Sequence, residues 1–251
     1  MKKQHHKKAI IDEYDAAIRL NPQLAEGYYN RGLAYYDLGQ FEQGIKDFDE
    51  AIHLNPKYAE AYTNRGAAYC RLDQSERGIK DFDEAIHLNR EYAKAYYNRG
   101  VAYYDLGQFN RGIKDFDEAI RLNPQLSEAY YNRGLVYYDL GQFKRSIRDF
   151  DEAIRLIPEY VDAYNNRGIA YCHLGQVEWG IKDFDEAIRL NPQLAEAYYN
   201  RGTTYCRNLG QVDQGIKDFD EAIRLNPQLA EAYYNRGTAR SVPITIYPRE
   251  H

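Results

Sequence analysis

AEGYYNRGLAYYDLGQFEQGIKDFDEAIHLNPKY, residues 25–58, decides the fold, because the chain goes on to write it again and again. Copies follow at 59–92, 93–126, 127–160, 161–194 and 195–229. The period is 34 residues, and the last copy has 35 because of one extra residue in Arg207-Asn208-Leu209. Residues 9–24 match the second half of a unit and residues 230–240 the first half. Residues 1–240 are therefore read as one array: a half unit, six whole units and another half. Residues 241–251 carry two prolines and Val242-Pro243-Ile244-Thr245-Ile246-Tyr247, and are expected to be an irregular tail. A fixed period of this length marks an architecture in which no unit buries its apolar side alone and each stacks on the next.

Positions are counted from Ala25 as position 1. The pattern predicts helix A over roughly positions 2–14 and helix B over roughly 18–30. Helix B carries Gly44, Ile45, Phe48, Ala51 and Ile52 at positions 20, 21, 24, 27 and 28, the i, i+3, i+4, i+7, i+8 stripe of an amphipathic helix. Leu38-Gly39-Gln40 reads as the A-to-B turn, with Gly as the stop, and Asn55-Pro56 as the B-to-A turn, with proline blocking extension. Gly at position 20 costs roughly 0.5–1 kcal/mol of helix stability against Ala, so its reuse implies close helix packing there.

These residues resemble the tetratricopeptide repeat family: an aromatic at position 4 (Tyr28), Gly at 8 (Gly32), Tyr at 11 (Tyr35), Phe at 24 (Phe48), Ala at 27 (Ala51) and Pro at 32 (Pro56). The resemblance covers about 230 of the 251 residues. The chain departs from the family pattern in placing Arg at position 7, Gly or Ser at 20, Arg90 at one Pro position and Asp73 at one turn Gly. The resemblance implies an all-α, right-handed superhelical solenoid of antiparallel helix pairs, with helix A lining the concave surface. It also implies a scaffold that binds extended peptide segments of partner proteins in that groove.

Positions 2, 5, 6, 9, 12 and 13 should then face inward. Position 6 is Asn in every copy: Asn30, Asn64, Asn98, Asn132, Asn166, Asn200 and Asn235. Asn is a poor mid-helix residue, and the resemblance implies a ladder of side-chain amides for a peptide backbone; bonding within the helix stack is the competing reading. Tyr29, Tyr97, Tyr131 and Tyr199 at position 5 and Tyr36, Tyr104 and Tyr138 at position 12 are expected to flank the ladder or to pack between A helices. The tyrosines at positions 4 and 11 are expected in the core. Position 2 supplies Glu26, Glu60, Glu128, Asp162 and Glu196, with Glu231 and a single Lys94. Positions 2 and 13 together carry about −6, against −5 for the whole chain, which favours a ligand with Lys or Arg. Arg at position 7 and Asp at 23 and 25 read as structural ion pairs between packed helices.

Composition narrows the rest. Net charge is −5 with 33 basic and 38 acidic residues, which argues against coating nucleic acid or an anionic membrane. A helical-repeat RNA reader is the alternative least favoured by this charge. No run approaches the ~20 apolar residues of a membrane span. Three Cys are too few and too odd for a disulfide framework, so a reducing, cytoplasmic setting is expected. No phosphate-binding Gly loop, metal signature or nucleophile elbow appears, so neither an enzyme nor a cofactor is expected. The two half units could stack end to end between molecules, a self-assembling alternative to partner binding.

Overall fold

In the computed structural model, residues 2–241 are described. They form α-helices without a strand: α1 (Lys2–Leu20), α2 (Ala25–Asp37), α3 (Phe41–Leu54), α4 (Ala59–Arg71), α5 (Ser75–Leu88), α6 (Ala93–Asp105), α7 (Phe109–Leu122), α8 (Ser127–Asp139), α9 (Phe143–Leu156), α10 (Val161–His173), α11 (Val177–Leu190), α12 (Ala195–Asn208), α13 (Val212–Leu225) and α14 (Ala230–Ser241). The even-numbered helices from α2 on are the A helices and the odd-numbered ones the B helices. Helix A occupies positions 1–13 and helix B 17–30, each starting one residue earlier than the pattern predicts. The first helix begins at Lys2 rather than near residue 9, and α14 takes in Ser241. The expected irregular tail otherwise lies outside the described residues.

The chain divides into two compact units, Met1–Asn132 and Arg133–His251. Within each, helices pack on their neighbours in sequence, α1 to α7 in the first unit and α9 to α14 in the second, as antiparallel pairs do. Successive A helices also touch (α2 with α4, α4 with α6; α10 with α12, α12 with α14), whereas successive B helices do not among the described residues. A stack whose A helices lie closer than its B helices curves with the A helices inside.

Position 24 is the centre of the core. Phe48, Phe82, Phe116, Phe150, Phe184 and Phe219 are 0–1% exposed, and burying each contributes about 1.5–3 kcal/mol. Ala at position 27 is buried in every whole unit, and position 3 is buried Ala in all of them but the first, where it is buried Gly27. The glycines at positions 8 and 20 let helices A and B approach. A Cβ on Gly32 would stand 2.8 Å from Phe48, and one on Gly44 would meet the Gly32 carbonyl at 3.1 Å. The close approach inferred from sequence is thus a contact between backbones. The tyrosines at positions 4 and 11 are not the core expected of them. Tyr69 and Tyr103 are buried, but most of the others are only half-buried. The Ala and Phe layer already holds the fully buried places between the helices.

The turns follow simple hydrogen-bond logic. After α2, Gly39 has φ +75°, its N–H donates to Tyr36 O, and the Gln40 N–H donates to Tyr35 O. This is the Schellman closure that satisfies the last carbonyls of the helix. Asp73 keeps the same closure at φ +58° without being glycine. The extra residue near Asn208 lengthens α12 by one residue and widens the turn, so that the Gln211 N–H reaches back six residues to Tyr205 O. At the B-to-A turn the sequence pointed to proline, but asparagine does equal work. Asn55 Oδ1 accepts from the Lys57 N–H at 3.2 Å. Asn89 Oδ1 accepts from the Glu91 N–H at 3.0 Å, which holds the turn where Arg90 replaces proline.

Candidate functional site: the A-helix face

The polar residues of helix A separate into those that build the stack and those that face outward. Position 7 belongs to the first group. Arg31 Nε and Nη2 donate to Asp47 of the same repeat at 2.8 and 2.6 Å, and Nη1 donates to Asp15 of the preceding one at 2.6 Å. Arg65 repeats this with Asp81 and Asp49, Arg99 with Asp115 and Asp83, Arg167 with Asp183 and Asp151, and Arg201 with Asp218 and Asp185. Each guanidinium also lies over the position-4 tyrosine of its own helix, as Arg65 does over Tyr62 at 5.3 Å. Hydrogen bonding to Asp47 holds Arg31 above its ordinary pKa. This is a structural clamp between repeats, as read from the sequence, and it takes position 7 out of any binding surface.

Positions 5 and 6 form a second link between repeats. Asn64 Nδ2 donates to Tyr29 Oη at 2.9 Å and to Glu60 O at 2.9 Å. Asn132 donates to Tyr97 Oη and Glu128 O at 3.1 and 2.8 Å. Asn235 reaches Tyr199 Oη at 3.0 Å, and Asn200 reaches Asn165 Oδ1 at 3.0 Å. In these four the amide N–H is engaged inside the stack, which leaves the side-chain oxygen as the group available to another donor. At two of them a cation of the chain sits on that oxygen: Lys94 Nζ on Asn64 Oδ1 at 3.5 Å and Arg207 Nη2 on Asn235 Oδ1 at 3.2 Å. Burial raises the pKa of Tyr29 and Tyr97, so both stay neutral hydroxyls. Asn30, Asn98 and Asn166 are half-buried on the same face, as is Tyr131.

The position-12 tyrosines lie further along helix A. Tyr36 packs edge-on against Phe41 at 5.2 Å, Tyr104 lies 5.9 Å from Phe109, and Tyr138 packs edge-on against Phe143 at 5.4 Å. Tyr138 Oη is also 2.9 Å from His173 Nε2, and the His173 ring stacks on Phe143 at 4.6 Å. Glu26, Glu60, Glu128, Asp162 and Glu196 are all exposed at the start of their helices. Eleven residues separate positions 2 and 13, about 16 Å along the helix axis, so the charges summed together in the sequence lie on two opposite edges. The position-2 edge is acidic but for Lys94. The other edge changes sign, with Asp37, Arg71 and Asp105 in the first unit and Asp139, His173 and Arg207 in the second. Three clefts open on this face within single units: one of about 480 Å³ lined by Tyr36, Arg71, Tyr97, Asn98 and Asp105, one of about 270 Å³ between α10 and α12, and one of about 400 Å³ between α12 and α14 lined by Tyr199, Arg207, Glu231 and Asn235. Burial pushes the Asp105 carboxyl up from its usual value. Among the described residues no cluster of His, Cys, Asp and Glu could hold a metal ion, and no helix is long and apolar enough to cross a membrane.

A TPR-repeat family model matches residues 8–39, 32–73, 134–175 and 206–240. Two tetratricopeptide-repeat models match 93–126 with 161–194, and 116–148 with 184–217. The chain belongs to the tetratricopeptide repeat family. No curated protein sequence matches this TPR chain significantly. Among solved structures it is similar to YrrB, described as a TPR protein with an unusual peptide-binding site, at 24% identity and TM-score 0.64 over 76% of this chain and 97% of that one. MamA is similar at 25% identity and TM-score 0.59 over 68% and 94%. PilF of Pseudomonas aeruginosa is similar at 17% identity and TM-score 0.75 over 85% and 97%. TPR repeats with TPR structural neighbours support a protein–protein interaction scaffold, and the TPR fold is typically non-catalytic.

Sequence reasoning set Tyr and Asn side by side on helix A and left open whether the Asn amides bond within the stack, as four of them do. The Asn–Tyr bonds join residues about one repeat apart, for which the only sequence signal is the recurrence of Tyr and Asn side by side. Arg207 entered only a charge sum over positions 2 and 13, in which His173 is neutral, and the sum hid their place together on one edge.

Proposed function

We propose that this TPR protein binds extended segments of partner proteins along its A-helix faces, with Lys or Arg side chains of the segment received by asparagine oxygens and the position-2 carboxylates. One observation carries the reading: at Asn64, Asn132, Asn200 and Asn235 the side-chain N–H is bonded within the stack, so these rungs are left with an acceptor, and Lys94 and Arg207 occupy two of them. A row of acceptors beside Glu26, Glu60, Glu128, Asp162 and Glu196 suits ammonium, guanidinium and backbone N–H donors, and repels carboxylates lying along that edge. The half-buried Tyr29, Tyr97 and Tyr199 add flat contact area at low entropic cost.

The test is to pan a random linear peptide library against the full chain and titrate the best-enriched peptide. Lys and Arg should be enriched, binding should weaken as salt shortens the screening length below about 10 Å, and Asn132→Ala with Asn200→Ala should loosen it by roughly 10-fold, about 1.4 kcal/mol. Enrichment of uniformly acidic peptides, or full affinity in the double variant, would overturn the assignment.

A further inference from the structure

The cleft between α10 and α12 lies where the repeat text departs from its copies. Residues 195–202, AEAYYNRG, keep the common wording, but α12 continues as Thr203-Thr204-Tyr205-Cys206-Arg207-Asn208. Positions 9 and 10 are threonines here, whereas the preceding copies place Leu33-Ala34, Ala67-Ala68, Val101-Ala102, Leu135-Val136 and Ile169-Ala170 there. Thr203, Thr204, Arg207 and Asn208 line the cleft together with Cys172 and His173 of α10, around a volume of about 270 Å³.

The molecule contains its own control. The cleft at the same repeat positions between α4 and α6 carries Arg71, but Asp73 and Asp105 line it too. Between α10 and α12 no carboxylate lines the cleft. Arg207 also borders the neighbouring cleft between α12 and α14, which Glu231 and Asn235 line; it spends one N–H on the neutral Asn235 Oδ1, and among the described residues no carboxylate comes within ion-pair distance of it. Thr204 Oγ1 donates to Asn200 O at 2.8 Å, and Thr203 Oγ1 is buried without a partner. A guanidinium with unused donors, beside a side-chain amide and hydroxyls and away from any negative charge in the cleft, is suited to a planar anion that accepts two hydrogen bonds.

We propose that this cleft is a carboxylate subsite, with Arg207 as its ionic anchor and Asn208 as a neighbouring donor, receiving an Asp or Glu side chain of the bound segment. The second unit then reads charge across its A face: acids on the position-2 edge take the segment's basic residues, and Arg207, about 16 Å away on the other edge, takes an acidic one. The source of the carboxylate rests on the peptide-binding reading, but the subsite itself does not.

Acetate, a bare carboxylate, tests it without any partner. The full chain is titrated with sodium acetate at constant ionic strength, and the amide and Arg Nε–Hε signals are followed by NMR, with acetamide as the neutral control. The proposal expects saturable shifts at residues 203–208 with acetate and none with acetamide. It expects a loss of roughly 10-fold, about 1.4 kcal/mol, in Arg207→Gln, and an unchanged titration in Arg71→Gln. Shifts that never saturate, or an equal loss in Arg71→Gln, overturn it. Inorganic phosphate saturating the same signals at lower concentration than acetate overturns the carboxylate assignment in favour of a phosphate site. Because no peptide is present, failure here leaves the peptide-binding reading standing, and failure of that reading leaves this result intact.

Discussion

At the scale of the residue, the decisive feature is a cation shared between two repeats. Arg99 makes two hydrogen bonds to Asp115, whose side chain is 9% exposed, and one to Asp83, which is 53% exposed. Burial works against the charge on Arg99, but Asp115 and Asp83 hold its pKa above the ordinary value. Removing the guanidinium strands Asp115 in a dry site, so Arg99→Ala should cost about 3 kcal/mol. Asp83→Ala removes only a half-exposed partner and should cost less than about 1 kcal/mol. Urea denaturation of the two variants checks this, and equal losses would contradict the ranking. Cys70 is the second residue with a clear consequence. Burial pushes its thiol up to about 11, the hydrogen bond to Ser75 offsetting part of the effect. A raised pKa keeps the proton on until the pH climbs towards that value, so near pH 8 its thiolate fraction is about 100-fold below that of an ordinary thiol. Iodoacetamide modification, followed by mass spectrometry, should still accelerate between pH 9 and 10; a plateau by pH 9 would refute it.

At the scale of the element, each helix pair is limited by how closely A and B can approach. A Cβ on Gly78 would lie 2.5 Å from Cys70 Sγ and 2.7 Å from the Gly66 carbonyl, whereas one on Gly44 would meet the Gly32 carbonyl at 3.1 Å. Gly78→Ala should therefore cost about 2–3 kcal/mol through overpacking. Gly44→Ala should stay within about 1 kcal/mol of the parent, since Ala recovers helix propensity. Thermal melts of both, with Cys70→Ala added to Gly78→Ala to relieve part of the clash, separate packing from propensity. The turns yield the opposite kind of change. Asp73 stands at φ +58° in a position that glycine fills in the other A-to-B turns, Gly39, Gly107, Gly141, Gly175 and Gly210. Asp73→Gly should stabilise the protein by about 0.5–1 kcal/mol, because glycine enters the left-handed region without a Cβ penalty. A lower denaturation midpoint in this variant would count against the turn argument.

At the scale of the whole molecule, every helix draws its stability from its immediate neighbours, as in other stacked repeats. Protection from hydrogen exchange should then follow local burial. In α14, Tyr233 and Tyr234 are 44% and 73% exposed and a Cβ on Gly237 would touch nothing. In α12 the corresponding glycine, Gly202, is crowded by Asp218 and Phe219. Amides in the middle of α14 should exchange at least about 10-fold faster than those of α12, since opening free energy scales with buried contacts. Exchange measured by mass spectrometry with residue-level fragmentation decides it, and equal protection in the two helices would show that burial is not what sets local stability.

The sequence by itself determined the helices, their pairing and the Phe and Ala centre of their core, though not the half-buried place of the tyrosines at positions 4 and 11. Those depend on local periodicity, and a unit repeated six times gives the same reading six times: Phe48 and its equivalents had to be inside wherever Gly32 and Gly44 let two helices meet. The Arg–Asp clamp was also legible, since each pair recurs at a fixed separation. What the tertiary structure decided is which polar groups remain for a partner. Whether the Asn64 amide points into the stack or out of it depends on where Tyr29, a repeat earlier, comes to lie, and that is set by the crossing of α2 and α4. Whether charges add or oppose depends on which edge they occupy. A list of residues carries amounts of charge and hydrogen bonding, but direction exists only once helices from different repeats are fixed against one another.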